Sequence, residues 1–284
     1  MDFDRIQKLL AVFFLCFNVY LVFLLIDRIP IQSQETAATS AITVVQDMKN
    51  RGVIIRPDLS AETEYLPLIK TEPNNYLREQ QSQLKNQRYS LNREGLLTST
   101  FIEPVELAFE VTETTKGISP ENAKIFRENY LLDDSMFING EAYGNYWYSN
   151  HEGILFCRMT AEDGTPIVDG SSEIRIVFDD HFNMIGYTQT YQSQYTVLEE
   201  PKALISSQEA INILDRRIET YLPNDSEIVS ANLSYYRSLE TANYSVYTPA
   251  WEIIYYRHEG TITHSVTVDA VRGFVAETRT NQMR

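Results

Sequence analysis

Two cysteines in 284 residues cannot build a disulfide framework or a four-cysteine zinc site. Basic side chains are also in short supply. Against 39 Asp and Glu stand only 24 Lys and Arg, a formal charge of −15, so the basic patches that neutralise phosphates in nucleic-acid binders are missing. Catalytic signatures are absent as well: there is no G-x-S-x-G elbow, no Walker loop and no G-x-G-x-x-G turn. His151-Glu152 and His258-Glu259 begin like a zincin helix, but the second histidine would fall at Leu155 and Ile262. What is present is a hydrophobic share of 43%, ample for a packed core and incompatible with wholesale disorder. The length allows one or two domains.

Long apolar runs are scarce too, with one exception. Leu9–Ile26 reads LLAVFFLCFNVYLVFLLI without a charge. At about 1.5 Å per residue it spans roughly 27 Å, close to the thickness of a bilayer's hydrocarbon core. A cleaved signal peptide would have a shorter apolar region and a small-x-small site after it; here Asp27-Arg28-Ile29-Pro30 follows. Cys16 lies mid-run behind Phe14 and Leu15, where a lipoprotein signal needs small residues. The run is therefore expected to be a retained anchor. Arg5 and Lys8 precede it and Arg28 alone follows closely, which places the N-terminus in the cytoplasm and the bulk outside the cell membrane. Asp2, Asp4, Arg5 and Lys8 cancel, so the whole −15 belongs to the exported side.

Within the run, Asn18 falls near mid-depth, where an unpartnered amide is costly. Ala11, Phe14, Asn18, Leu21 and Leu25 share one helical face. That face reads either as an interaction seam for another membrane helix or as an anchor that tolerates one polar residue.

Beyond the anchor, Gln32–Ala41 is small and polar, the composition of a spacer. Ile42, Val45 and Met48 then recur at helical spacing, Gly52 stands where a helix stops, and Val53–Ile55 reads as a short strand. Residues 72–90 are rich in Glu, Gln and Asn and read as a solvated helix or a loop. Ser119-Pro120 opens a helix expected to reach about Leu132, with Ala123, Phe126, Tyr130 and Leu131 on one side. Strands are expected at Tyr143–Ser149, Gly153–Thr160, Glu173–Phe178 and Met184–Tyr195. A capping-box spacing, Ser206 to Glu209, opens a second helix striped by Ala210, Ile211, Leu214, Ile218 and Tyr221 and ended by Pro223. Strands follow at Ile228–Ser238, Val246–Arg257, Thr261–Asp269 and Phe274–Thr278. A helix followed by antiparallel strands, twice over, predicts an α+β ectodomain of two helix-on-sheet modules. The expected division is a cytoplasmic tail at 1–8, a transmembrane helix at 9–26, a juxtamembrane spacer at 27–41, and ectodomain modules at 42–200 and 201–284.

Candidate chemistry is thin. His258, Glu259 and His264 could flank a hairpin as metal ligands, but such residues are more often solvated strand ends. Asp179-Asp180-His181 reads as a charged turn, and Cys157 as a small core residue. No catalytic, metal or cofactor residues are assigned. The 18 tyrosines stand out more, above all Tyr143, Tyr146, Trp147 and Tyr148. Tyr on a sheet face is ordinary strand preference, while Tyr and Trp clusters also anchor interfaces.

The start Met1-Asp-Phe-Asp-Arg-Ile6 running into one span, the acidic α+β ectodomain, and the Y-x-Q-x-Y strand Tyr187-Thr-Gln189-Thr-Tyr191 together resemble the YycI family. Ser206-Ser-Gln-Glu-Ala210, Thr248-Pro-Ala-Trp251 and Val268-Asp-Ala270 with Gly273 resemble a PepSY-type unit, as the YycH/YycI group would lead one to expect. The resemblance implies a non-enzymatic regulator that binds a sensor histidine kinase of the WalK/YycG type. It would act with a YycH-type single-pass partner, as a hetero-oligomer, and adjust signalling over cell-wall metabolism. The rival reading is a PepSY-like extracellular inhibitor or chaperone of an exported peptidase.

Overall fold

The computed structural model describes residues 13–15, 17–18, 20, 44–109, 118–149, 152–216, 222–257 and 263–280. The chain divides into a unit at 1–43 and a unit at 44–284. In the first, the described residues are helical, and Asn18 Nδ2 donates to Phe14 O, one turn back, at 2.8 Å. Among the described residues no helix is long and apolar enough to cross a membrane; Ala11, Leu21 and Leu25 of the expected seam lie outside them, as does the spacer at 27–41.

The second unit is mixed α+β, mostly sheet with few helices. Helix α1 covers 44–50 and stops at Gly52, whose φ of +80° only glycine adopts freely. Strand β1 (Ile54–Ile55) follows, then β2 (Tyr65–Leu66) and β3 (Ile69–Thr71). The stretch that read as helix or loop is split: α2 (Tyr76–Gln80), a 3-10 turn, then β4 (Gln87–Leu91). Strand β5 (Leu97–Val105) carried no sequence expectation, although Leu97, Ser99 and Phe101 alternate inward. Helix α3 (Pro120–Phe126) starts as predicted, with Ser119 Oγ accepting from Asn122 N at 3.1 Å; it continues as a π-helical turn over Arg127–Leu131. Then come β6 (Tyr143–Ser149), β7 (Ile154–Met159), β8 (Glu173–Phe178) and β9 (Met184–Gln189). Strand β9 ends earlier than predicted because Thr190 turns the chain, its Oγ1 donating to Gly170 O at 2.7 Å. After β10 (Thr196–Val197) and β11 (Lys202–Ala203), α4 (Ser207–Arg216) begins with Ser206 Oγ accepting from Glu209 N at 3.2 Å, as the capping spacing predicts. Four long strands close the chain: β12 (Ser226–Glu240), β13 (Ser245–Arg257), β14 (Thr263–Asp269) and β15 (Phe274–Thr280).

One sheet is antiparallel with order β4-β5-β9-β8-β7-β6. The other runs β1-β12-β13-β14-β15, and β3 and β10 extend it beside the start of β13. Strands β1, β3 and β10 all precede residue 200, so this sheet draws on both expected modules.

Strand alternation sets the layers. In the first sheet Leu155, Ile176 and Tyr187 lie in register on one face, where Phe137 meets Tyr187 at 4.7 Å and Phe126 backs Phe137 at 6.4 Å. Phe156, Arg158 and Arg175 face the other way. In the second sheet Trp251, Ile253 and Tyr255 pack with Ala210, Ile211 and Leu214 of α4, while Glu252 between them reaches Arg158 of β7. Along this line the stacking is helix, sheet, sheet, helix.

Candidate functional site

The β6 aromatics do not form one face. Tyr143 and Tyr148 are buried, and only Tyr146 and Trp147 of the four are partly exposed. Tyr143 donates its hydroxyl to Thr190 O at 2.6 Å, and Tyr148 meets Phe178 edge-on at 6.1 Å. Tyr146 lies half-buried, its hydroxyl donating to Tyr143 O at 2.8 Å and accepting from Arg127 Nη1 at 3.5 Å. Trp147 stacks on Phe156 at 5.1 Å.

Beneath Trp147 lies a buried network of charges. The Arg158 guanidinium grips Glu252 with two bonds, Nη1 to Oε2 at 2.8 Å and Nη2 to Oε1 at 3.1 Å, and donates Nε to Glu173 Oε2 at 3.0 Å. Arg175 holds the other Glu173 oxygen, and Ser265 donates to Glu252 at 3.2 Å. Arg158 also lies over the rings of Trp147 and Phe156 at 5.9 and 5.7 Å. Burial alone would raise the Glu173 carboxyl, but the Arg158 and Arg175 guanidiniums outweigh it and hold it below the usual carboxylate range. Burial likewise works against the Arg158 charge, and Glu252 and Glu173 overcome it. Strand pairing explains the position of the pair: Arg158 stands opposite Glu173 across β7 and β8.

This arrangement gives a pH signature. A depressed carboxyl contributes stability that is complete above its unfolded pKa, about 4.3, and is lost as pH falls through the lower folded value. The urea midpoint should therefore fall in that acidic window. In Glu173→Gln this component should vanish, with a lower midpoint at neutral pH. Parallel midpoint-against-pH curves for the two proteins would show that Glu173 is not the group responsible.

At the other end of the second sheet, the segment that leaves α1 is bolted to the core. Arg51 Nη2 meets Asp215 Oδ1 at 2.5 Å, Nη1 donates to Leu222 O at 2.9 Å, and Nε meets Asp47 Oδ2 at 3.2 Å. Met48 and Val53 are buried with Ile211, Leu214, Leu222 and Ile228. Gly52 is required by its positive φ; a Cβ there would also crowd the Asp225 carboxylate, which would have to turn aside.

The sequence model of a family described as YycI protein matches residues 31–271. The chain belongs to the YycI family. Membership makes it a regulatory protein of the YycG/WalK two-component system, from a family that is regulatory and non-enzymatic. No curated protein matches the sequence. Several solved structures are similar, two of them at low identity. One is an uncharacterized protein from Eubacterium rectale ATCC 33656, at 12% identity and a TM-score of 0.43, covering 80% of this chain and 91% of that one. The other is the Bacillus megaterium YpeB C-terminal domain, at 13% identity and a TM-score of 0.34, covering 89% and 99%.

In this YycI-family chain the Y-x-Q-x-Y strand is a structural latch. Tyr187 donates its hydroxyl to Met136 O at 2.8 Å, and Gln189 Nε2 donates to Ile138 O at 2.6 Å while its Oε1 accepts from Ile138 N at 3.4 Å. The motif thus pins the loop after α3 onto the first sheet. Cys157 is fully buried and burial pushes its thiol up, so it is a core residue held as the neutral thiol. Asp179 closes its own turn, accepting from Asn183 Nδ2 at 3.0 Å and from Asn183 N and His181 N; these bonds lower its pKa, the Asn183 side chain first. Of the histidine pair, His258 and Glu259 lie outside the described residues, and His264 stacks on Tyr255 at 5.1 Å. Among the described residues no group of three or more His, Cys, Asp or Glu side chains is placed to hold a metal. Neither the charged network nor the stem joint was visible to sequence reasoning, because each joins residues far apart in the chain.

Proposed function

We propose that this chain is a single-pass, membrane-anchored regulator that binds a YycG/WalK-type sensor kinase together with a YycH-type partner and so adjusts signalling over cell-wall metabolism. The YycI match over residues 31–271 carries the reading. Leu9–Ile26 is the anchor, with the N-terminus cytoplasmic and the unit from residue 44 outside. Its uncharged length supports this, as does the helical backbone at the described positions 13–15, 17, 18 and 20.

The chemistry at the seam is that of one amide. Bonding to Phe14 O uses one Asn18 N–H and leaves the second N–H and the carbonyl oxygen for a neighbouring helix. At the other end, the Arg51 joint ties α1 to the second core, so a load on that core is passed into the segment leading to the anchor. A ligand or partner on the ectodomain then biases the kinase by as much as its affinity differs between the two kinase states.

Asn18→Leu keeps the helix apolar and removes the inter-helix bond, worth about 1 kcal/mol. Retention of the kinase on co-purification should drop about fivefold, while the circular dichroism melt of the ectodomain stays in place. Unchanged co-purification and unchanged signalling would sink the seam.

A further inference from the structure

A cleft of about 460 Å³ opens where the turn between β4 and β5 approaches the tip of the β12–β13 hairpin. That volume lies within the range of small-molecule sites, about 300–1,000 Å³. One wall carries Arg78, Arg93 and Glu94, and the other carries Asp169, Arg237 and Glu240.

The two walls differ in charge. Neither Arg78 nor Arg93 makes an ion pair among the described residues; Arg78 Nη2 reaches only the backbone oxygen of Asn92, at 3.5 Å. With Glu94 beside them, that wall keeps one formal positive charge in excess. Opposite, Arg237 is held by two carboxylates, Asp169 Oδ2 at 3.7 Å and Glu240 Oε1 at 3.0 Å. The Asp169 side chain is 6% exposed and committed to its loop, accepting from Ser171 N at 3.1 Å, Ser171 Oγ at 2.6 Å and Arg237 N at 3.2 Å. This wall keeps one negative charge in excess, and Glu240 is its exposed end. The two walls thus carry excess charge of opposite sign, and the planar guanidinium forks of Arg78 and Arg93 on one of them match a carboxylate.

We propose that the cleft binds a short peptide with both ends free, its terminal carboxylate on Arg78 and Arg93 and its ammonium toward Glu240. A ligand carrying one charge alone satisfies one wall and leaves the other unpaired. The first sheet supplies Arg93 and Glu94 through its β4–β5 turn, and the second supplies Arg237 and Glu240. The bound peptide therefore ties the two sheets together and stabilises the fold by mass action. This site does not depend on the kinase reading, since it requires only the cleft.

The test is calorimetric titration of the full chain in detergent micelles with trialanine, its C-terminal amide, its N-acetyl form and sodium acetate. Trialanine should bind, and either end-block should weaken it by about tenfold, equivalent to about 1.4 kcal/mol. The double variant Arg78→Ala, Arg93→Ala should weaken it at least as much; both side chains are exposed, so its thermal melt should match the parent's. No heat with trialanine, equal binding of acid and amide, full competition by acetate, or wild-type affinity in the double variant would each overturn the proposal.

Discussion

Arg158→Ala is expected to destabilise the unit at 44–284 by about 3–5 kcal/mol, because it leaves Glu252 buried without its guanidinium and Glu173 with Arg175 alone. For a domain of this size the melting temperature should drop by roughly 10 °C. Truncation also strips the rings of Trp147 and Phe156 of the guanidinium they lie against, so Trp147 should become more exposed. Arg158→Met separates the two contributions: it restores packing but not charge and should recover only part of the loss. A double-mutant cycle with Glu252→Ala should return a coupling energy of about 1.5 kcal/mol or more, since the pair is bidentate and shielded from water. An Arg158→Ala melt within a degree or two of the parent would mean that the sheets are held by their apolar contacts alone.

Gly140→Ala is the second large effect. A Cβ at that position would stand 1.7 Å from the backbone oxygen of Leu131 and 2.6 Å from its carbonyl carbon. A backbone atom cannot swing aside as a flexible side chain can, so the π-helical turn and the loop at 136–142 must separate. That loop carries Met136 and Ile138, the partners of Tyr187 and Gln189. The expected cost is about 3 kcal/mol, at the top of the overpacking range. Gly95→Ala is the control. It has a positive φ of +83° but nothing within 4 Å of the added methyl, so backbone strain alone should cost about 1–2 kcal/mol. Urea denaturation of the two variants side by side measures the difference. Equal costs would show that the close approach at Leu131 relaxes freely.

Several elements were legible because their signals are local. Ser119-Pro120 and Ser206 to Glu209 name helix starts by the bonds a cap can make, and both caps form. Glu173–Phe178 and Tyr143–Ser149 are strands at the predicted bounds, written in β-branched and aromatic residues. Strand β5 went unread because Ser and Thr fill most of its first half. Its inward positions were apolar enough to pack only once β9 and β4 lay on either side. The tyrosine cluster is divided for a related reason. Four aromatics within six residues look like one patch, but a strand turns alternate side chains to opposite faces, and a bulge between Tyr143 and Asn145 shifts the register again.

The sequence by itself determined the uncharged run at Leu9–Ile26, the placement of all −15 charges beyond it, the two capped helices and most of the strands. These follow from composition, period and capping, which act over a few neighbouring residues. Only the tertiary structure decided that Arg158 meets Glu252 across 94 positions, that Arg51 bolts the stem to Asp215 across 164, and that three arginines and three acids face each other across one cleft. Charge pairing depends on which strands and loops come to lie together. That is a property of sheet order, and no spacing along the chain encodes it.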